Sequence, residues 1–446
     1  MADLQGGAGA PPNIVRTPLS QERDSAAPGP CSSPAFPHNM VSGPAVYHEH
    51  LSSQAFASPA PMPQPIYLDY NATTPVDPDV LDAMLPFFRE QFGNPSSEHA
   101  YGWAADEAVK QARERVARLI GATPRTMTFT SGATESISLA LRGAGAVYGG
   151  RRHHVVTFKS EHKAVLETFA AMERDGFEVT YLPVRRDGTV DLDALADVLT
   201  DKTLLVAAMW ANNETGVMHP IATMARLAHE AGALMMSDAT QAVGKVPVDV
   251  DAARVDLLAL SGHKIYGPKG VGALYVRQRG PRVRLQAQIN GGSQEGDLRA
   301  GTLNVPGIVG LGAAAAVARR RLDEDAAHSL ALRDRFEAAV RDHVPGARIH
   351  AAETPRLPNT TSVGLKGLHA ARLLPSLRGI AVSTGSACAS RTATPSHVLR
   401  AMGYTEDQAL GTLRFSVGRG TTEAEIDTAA SMLAEAVRSV RHRVAA

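Results

Sequence analysis

From Ile66 onward, short apolar runs alternate with stretches of helical periodicity, and that rhythm admits few folds. Runs at about 126–130, 154–159, 178–182, 203–209, 233–237, 256–260 and 272–276 read as strands, mostly with helices between them. Such a series implies a largely parallel sheet covered on both faces. The last two runs are too close for a helical crossover and predict an antiparallel edge. Asp77-Pro78 reads as an N-cap followed by proline at the first helical position, opening a helix to about Phe92. A second helix, about 104–120, carries Ala108, Val109, Ala112, Val116 and Leu119 at helical spacing and stops at Gly121. A long helical stretch, about 306–341, leads to strands at about 361–366, 380–383 and 411–417. The expected fold class is α/β, with a large mostly parallel-sheet domain over 77–325. A smaller α/β domain is expected from 66–76 together with 326–446.

Residues 1–64 differ in character. They are rich in Pro, Ala, Gly and Ser, bury too little apolar area to offset their ordering entropy, and read as a disordered extension. Asp3, Glu22, Asp24 and Glu49 argue against a transit peptide, and no apolar h-region follows a basic start. A start at Met62 is an equal reading. Lys and Arg total 45, as do Asp and Glu, so neither direct nucleic-acid binding nor an anionic membrane partner is expected. No run approaches the roughly 20 residues of a membrane span. The two cysteines, Cys31 and Cys388, exclude a disulfide framework and fit a reducing, cytoplasmic compartment.

Two charges end apolar runs. Asp238 closes Ala-Leu-Met-Met-Ser-Asp238, and Lys264 follows Asp-Leu-Leu-Ala-Leu-Ser261-Gly-His263. Strand ends are where a parallel α/β sheet places ligands. A lysine and an aspartate held together suit pyridoxal phosphate (PLP): the amine takes the aldehyde as a Schiff base, and the carboxylate keeps the pyridine nitrogen protonated. Each residue also has a plainer reading, Lys264 as a lysine snorkelling from a strand end and Asp238 as a helix N-cap.

Other groups are consistent with such a site. Ser131-Gly-Ala133-Thr134-Glu135 follows a strand and opens a helix, which makes a phosphate cradle or an ordinary helix start. Ser261 and His263 add possible phosphate donors. His162 reads as a ring that stacks on a flat cofactor, or as a cap. Asn213 lies in a turn after the 203–209 run. In Thr-Leu413-Arg414-Phe415-Ser-Val417, alternation sets Arg414 and Ser416 opposite the apolar face, suiting Arg414 either to a carboxylate clamp or to a solvated face. Cys388 sits among small polar residues that favour an accessible thiol over a buried one. His48-Glu-His50 and His153-His154 lack spaced partners, so no metal is expected. No Gly-x-x-x-x-Gly-Lys-Ser/Thr loop or Gly-x-Gly-x-x-Gly turn follows a strand, which disfavours ATP and dinucleotides.

Taken in order, these segments resemble the PLP-dependent cysteine desulfurases of the class V aminotransferase-like, fold type I group. The matching motifs include Tyr67-Leu-Asp-Tyr-Asn-Ala-Thr-Thr-Pro75, Phe92-Gly-Asn-Pro-Ser-Ser97, Thr130-Ser-Gly-Ala-Thr-Glu-Ser136, Glu161-His-Lys-Ala-Val165 and Asn212-Asn-Glu-Thr-Gly216. They continue through Asp238-Ala-Thr-Gln241, Ser261-Gly-His-Lys264, Gly301-Thr302-Leu, Gly385-Ser-Ala-Cys388 and Arg414-Phe-Ser. The resemblance implies that Lys264 carries PLP, Asp238 pairs with its ring nitrogen, Gln241 bonds its phenolic oxygen and His162 stacks on it. Ala133, Thr134, Ser261 and His263 would hold the phosphate, with Thr302 reaching in from a partner of a homodimer. Asn71, Asn213 and Arg414 would bind substrate. The implied reaction turns L-cysteine into L-alanine and leaves a persulfide on Cys388, in a long mobile loop, for a protein sulfur acceptor. Iron–sulfur scaffolds, thiolated tRNA, thio-cofactors and phosphorothioate DNA all remain open as destinations. A selenocysteine lyase, another class V enzyme and a catalytically dead scaffold are the competing readings. Thr215 and Ser237 depart from the family pattern without removing a catalytic group.

Overall fold

The computed structural model describes residues 64–384 and 394–445; the expectations for the N-terminal extension and for Cys388 lie outside them. Twelve strands are present among the described residues. In chain order they are β1 (Ile66–Tyr67), β2 (Met127–Thr130), β3 (His154–Phe158), β4 (Glu178–Leu182), β5 (Thr203–Met209) and β6 (Leu234–Asp238). There follow β7 (Leu257–Ser261), β8 (Gly272–Val276), β9 (Ala347–Ile349), β10 (Thr360–Leu365), β11 (Ile380–Ala381) and β12 (Thr412–Ser416).

Seven strands form one sheet in the order β2-β8-β7-β6-β5-β3-β4. The β4, β3, β5, β6 and β7 run is parallel, whereas β8 is antiparallel to both β7 and β2. The short β7–β8 connection thus gives the antiparallel pair expected, but not at an edge. Strand β2, far earlier in the chain, closes the sheet beyond β8. Two antiparallel steps restore its direction to that of β7, so Thr130 at its end reaches the same rim as the ends of β3, β5, β6 and β7.

Helix boundaries follow local chemistry. Asp77 caps the first helix through Asp79, but that helix ends at Met84, and Pro86 starts a separate turn, Pro86–Arg89. One continuous helix to Phe92 is therefore corrected: Pro86 has no N–H to continue the ladder. The next helix starts at Ala100 rather than near 104, because His99 accepts from the Gly102 amide and caps it.

A second core gathers Leu68, Phe336, Val363, Leu413, Phe415 and Val437. Here β10 pairs antiparallel with β9 and β12, while β1 lies parallel to β11. The helix Val305–His343 serves both cores. Its first half buries Ile308, Leu311 and Ala315 beside the large sheet, and its second half buries Leu332, Phe336 and Val340 in the second core. No described helix is long and apolar enough to cross a membrane.

The long helix approaches helix Ala100–Leu119 closely at Gly312. A Cβ on Gly312 would lie 2.5 Å from the Ala112 Cα, so this contact excludes even a methyl group. Gly312→Ala is expected to destabilise the protein by about 1–3 kcal/mol through overpacking, read as a lower denaturation midpoint. An unchanged midpoint would contradict this packing.

Candidate functional site

Five chain segments converge on the strand-end rim around a cavity of about 560 Å³. They are Ser131–Glu135 after β2, His162 after β3, Asn213 after β5, Asp238–Gln241 at the end of β6, and Ser261–Lys264 at the end of β7. The segment Asn71–Thr73, Arg414 of β12, Lys163, Glu214, Lys269 and His397 also line the cavity. Strand ends gather ligand-binding groups because loops there can change without disturbing the sheet.

Lys264 lies in the 3₁₀ turn Gly262–Lys264, and its Nζ donates to the carbonyls of Asn71 at 2.6 Å and Ala72 at 2.7 Å. The Asn71 carbonyl also accepts from Gln241 Nε2 at 2.9 Å. The Asn71 side chain is itself fixed, donating to Thr360 Oγ1 at 2.8 Å and accepting from Asn359 at 3.0 Å. Asp238 is buried next to β7, in register with Ala259, and one of its oxygens accepts from the Thr240 amide. Its turn-capping and cavity-lining readings therefore coexist. His162 shows the same duality. It caps helix Lys163–Arg174 through Nδ1, which accepts from the Ala164 amide at 3.1 Å. In the neutral ring that contact leaves Nε2 as the protonated nitrogen.

Burial dominates the electrostatics of the rim. It pushes the His162 imidazole below the ordinary range, opposed by the Asp238 charge and aided by Lys264, His397 and Lys163. Burial, with the cations Lys264, Lys269 and Lys245, brings His263 down to about 4, so this ring is neutral at physiological pH. Two carboxyls, Glu214 in the cavity wall and Glu161 beyond it, move the other way. Burial pushes Glu161 well above the carboxylate range, against a 2.8 Å bond from the Met209 amide. Burial also raises Glu214, although the hydroxyl of Ser396 donates to it and His397 and Arg414 pull it down. Neither Glu161 nor Glu214 stood out in the sequence, where a carboxylate in a turn reads as solvated.

Arg414 is buried, and its alternation with Leu413 and Phe415 holds as expected. Its guanidinium donates to the Asn213 carbonyl at 2.9 Å and to Asp69 Oδ1 at 2.6 Å. These contacts aim a cation from the second core into the cavity of the large sheet. Thr302 is exposed and absent from this cavity's wall, so the structure does not bring it to the other sequence-identified residues. Lys245 and His397 were not singled out by sequence. A helical spacing of four from Gln241 was the available signal for Lys245, whereas His397 follows the cysteine segment without any pattern.

The donor set fits a phosphorylated pyridine aldehyde. Helix Ala133–Tyr148 starts after Gly132, at φ +154°, with no side chain capping it. Its first amides and the Thr134 and Ser261 hydroxyls suit a phosphate. Asp238 suits a ring N–H, Gln241 a phenolic oxygen, and Lys264 a carbonyl carbon. Among the described residues, no group of three or more His, Cys, Asp or Glu is placed to hold a metal ion.

Comparison with known proteins agrees with this geometry. The aminotransferase class-V family model matches residues 66–428. A cysteine desulfurase IscS of Anaeromyxobacter dehalogenans is 50% identical over 378 residues, covering 84% of this chain and 93% of the relative. Among solved structures, a NifS-like protein aligns with a TM-score of 0.77 at 38% identity, over 83% of this chain and 99% of its own. SspA in complex with cysteine aligns with a TM-score of 0.71 at 37% identity, over 79% of this chain and 99% of its own. Motif order, sheet topology and similarity along most of the chain agree, and the chain belongs to the class-V aminotransferase family, in its PLP-dependent cysteine desulfurase branch.

Proposed function

We propose that this chain takes sulfur from L-cysteine, releases L-alanine and passes the sulfur through Cys388 to a protein acceptor. The convergence of Lys264, Asp238, the uncapped helix start and Arg414 on one cavity supports the reading most strongly. Similarity to a cysteine-bound structure and to cysteine desulfurases points to the same substrate.

Bound here, PLP supplies an electron sink for the bonds at the substrate's Cα. The roles we assign to the chain's own residues are these. Lys264 holds the cofactor and moves the Cα proton. Asp238 retains the ring-nitrogen proton, Gln241 donates to the phenolic oxygen, and His162 covers the ring. The Ala133 amide, Thr134, Ser261 and neutral His263 hold the phosphate. Arg414, aimed by the Asn213 carbonyl, takes the substrate carboxylate together with Asn213. Asn71, expected from the sequence to bind substrate, spends both amide hydrogens on Thr360 Oγ1 and the Asn213 carbonyl and has no donor left for it. The Cys388 thiolate attacks the substrate sulfur: a sulfur–sulfur bond forms as the carbon–sulfur bond breaks. The products are alanine and a cysteine persulfide, which balances one cysteine and one thiol. To take the thiol proton at Nε2, His162 has to give up its contact with the Ala164 amide and change tautomer.

We assign residues 77–325 to a cofactor domain and 66–76 with 326–446 to a second domain. The core confined to Leu68 and residues from Leu332 onward favours that division, although Leu357, Val398, Leu399 and Met402 join the core of the large sheet. We also propose a homodimer. Thr302 is solvent-facing in one chain, and Phe88, Phe92, Tyr101 and Trp103 leave large apolar side chains exposed. Stacking of Phe92 on Tyr101, 5.4 Å between ring centroids, organises part of that surface. Burying such rings against a second copy is favourable.

Cys388→Ser is expected to keep the yellow colour of bound cofactor and to lose sulfide release from cysteine by roughly 1000-fold or more. Normal turnover by that variant would refute the role of Cys388. Sedimentation equilibrium should give twice the chain mass, and Phe92→Glu with Trp103→Glu should shift it toward one; a monomeric parent protein would rule out the dimer.

A further inference from the structure

Gln241 and Lys245 bracket one helical turn. The amides of Val243 and Val246 reach back to the carbonyls of Ala239 and Ala242, which makes the two side chains neighbours at a spacing of four. Lys245 Nζ donates to Gln241 Oε1 at 2.6 Å and approaches Asn71 Oδ1 at 3.4 Å. Gln241 Nε2 donates to the Asn71 carbonyl at 2.9 Å. Together these contacts settle which way round the amide lies. Reversed, it would set its oxygen against the Asn71 carbonyl oxygen, with no proton between two acceptors. It would also turn its NH₂ toward the hydrogens of Lys245.

The amine that does this is withdrawn from water. Lys245 also lines a neighbouring cavity of about 420 Å³, together with Arg333 and Arg356. Burial, with Lys264 and Arg414 adding like charge, pushes the amine well below the ordinary lysine range. An amine donates hydrogen bonds whether charged or neutral, so the grip on Gln241 does not depend on its protonation state. A buried amine is costly without acceptors, and its closest acceptor here is an amide oxygen whose only evident use is to be held.

We propose that Lys245 is a positioning residue for the cofactor: it holds the Gln241 amide so that a donor rather than an acceptor faces the phenolic oxygen. This rests on the assignment of Gln241 made above. Without Lys245 only the Asn71 carbonyl opposes the reversed amide, so orientations in which two oxygens meet gain population.

The test is a double-mutant cycle on the holoenzyme, read by pH titration of its visible absorption band. A donor on the phenolic oxygen favours the deprotonated chromophore, so its loss raises the titration midpoint. Lys245→Met is expected to raise the midpoint by about one pH unit when Gln241 is present, and by less than about a third of that in a Gln241→Ala background. Equal shifts in both backgrounds would mean that Lys245 acts only as a through-space charge and would overturn the positioning role. No shift with Lys245→Met, or none with Gln241→Ala, overturns it as well, since no oriented contact is then present. Lys245→Gln, read by the same criterion, serves if the methionine variant does not fold. Failure of the parent protein to develop a visible band with PLP would overturn the cofactor assignment and this inference with it, a result distinct from the others.

Discussion

Two backbone carbonyls, those of Asn71 and Ala72, hold the Lys264 amine at 2.6 and 2.7 Å, and the rest of the cavity is arranged around that clasp. A primary amine inside a protein needs acceptors that are already in place. Here they belong to a segment that starts in the second core, at Leu68, and ends against the large sheet. Asn71 also joins Thr360 of β10 to the turn after β5, through bonds from its amide to Thr360 Oγ1 and the Asn213 carbonyl. One residue therefore ties the amine, the amide of Gln241 and both cores into a single network.

Charge in the cavity is unbalanced on purpose-fit lines. Lys163, Lys264, Lys269 and Arg414 line it. Asp238, Glu135 (itself paired with Arg299) and the Asp69 partner of Arg414 oppose them, while burial raises Glu161 and Glu214 above the ordinary carboxylate range. Both carboxyls are held as scaffold, Glu161 accepting from the Met209 amide and Glu214 from the Ser396 hydroxyl.

Much of this was legible in residue order. Apolar runs marked the strands, and a charge at the end of a run marked a rim position, which is how Asp238 and Lys264 stood out. Alternation in β12 told the face of Arg414. Sheet order was not legible: the position of β2 beyond β8 depends on contacts between residues more than a hundred positions apart, which periodicity does not encode. The burial of Glu161, Glu214 and Lys245 was hidden for a related reason, since each sits in a turn whose local composition is that of a solvated loop. Pro86 lies inside the stretch that spacing reads as one helix to Phe92, and its missing donor ends the first helix at Met84. The Ser237 hydroxyl, a departure from the family pattern in the sequence, is buried and without a partner among the described residues, at a position where an apolar side chain would need none.

Lys264 and Lys245 are two enclosed amines bound to the same residue, Asn71, and only one of them can be the cofactor's attachment point. Incubation with PLP, borohydride reduction and peptide mapping distinguishes them directly. The reduced pyridoxyl label should be found on Lys264 alone. A label on Lys245, or on neither, would contradict the assignment from which every other role in the cavity follows.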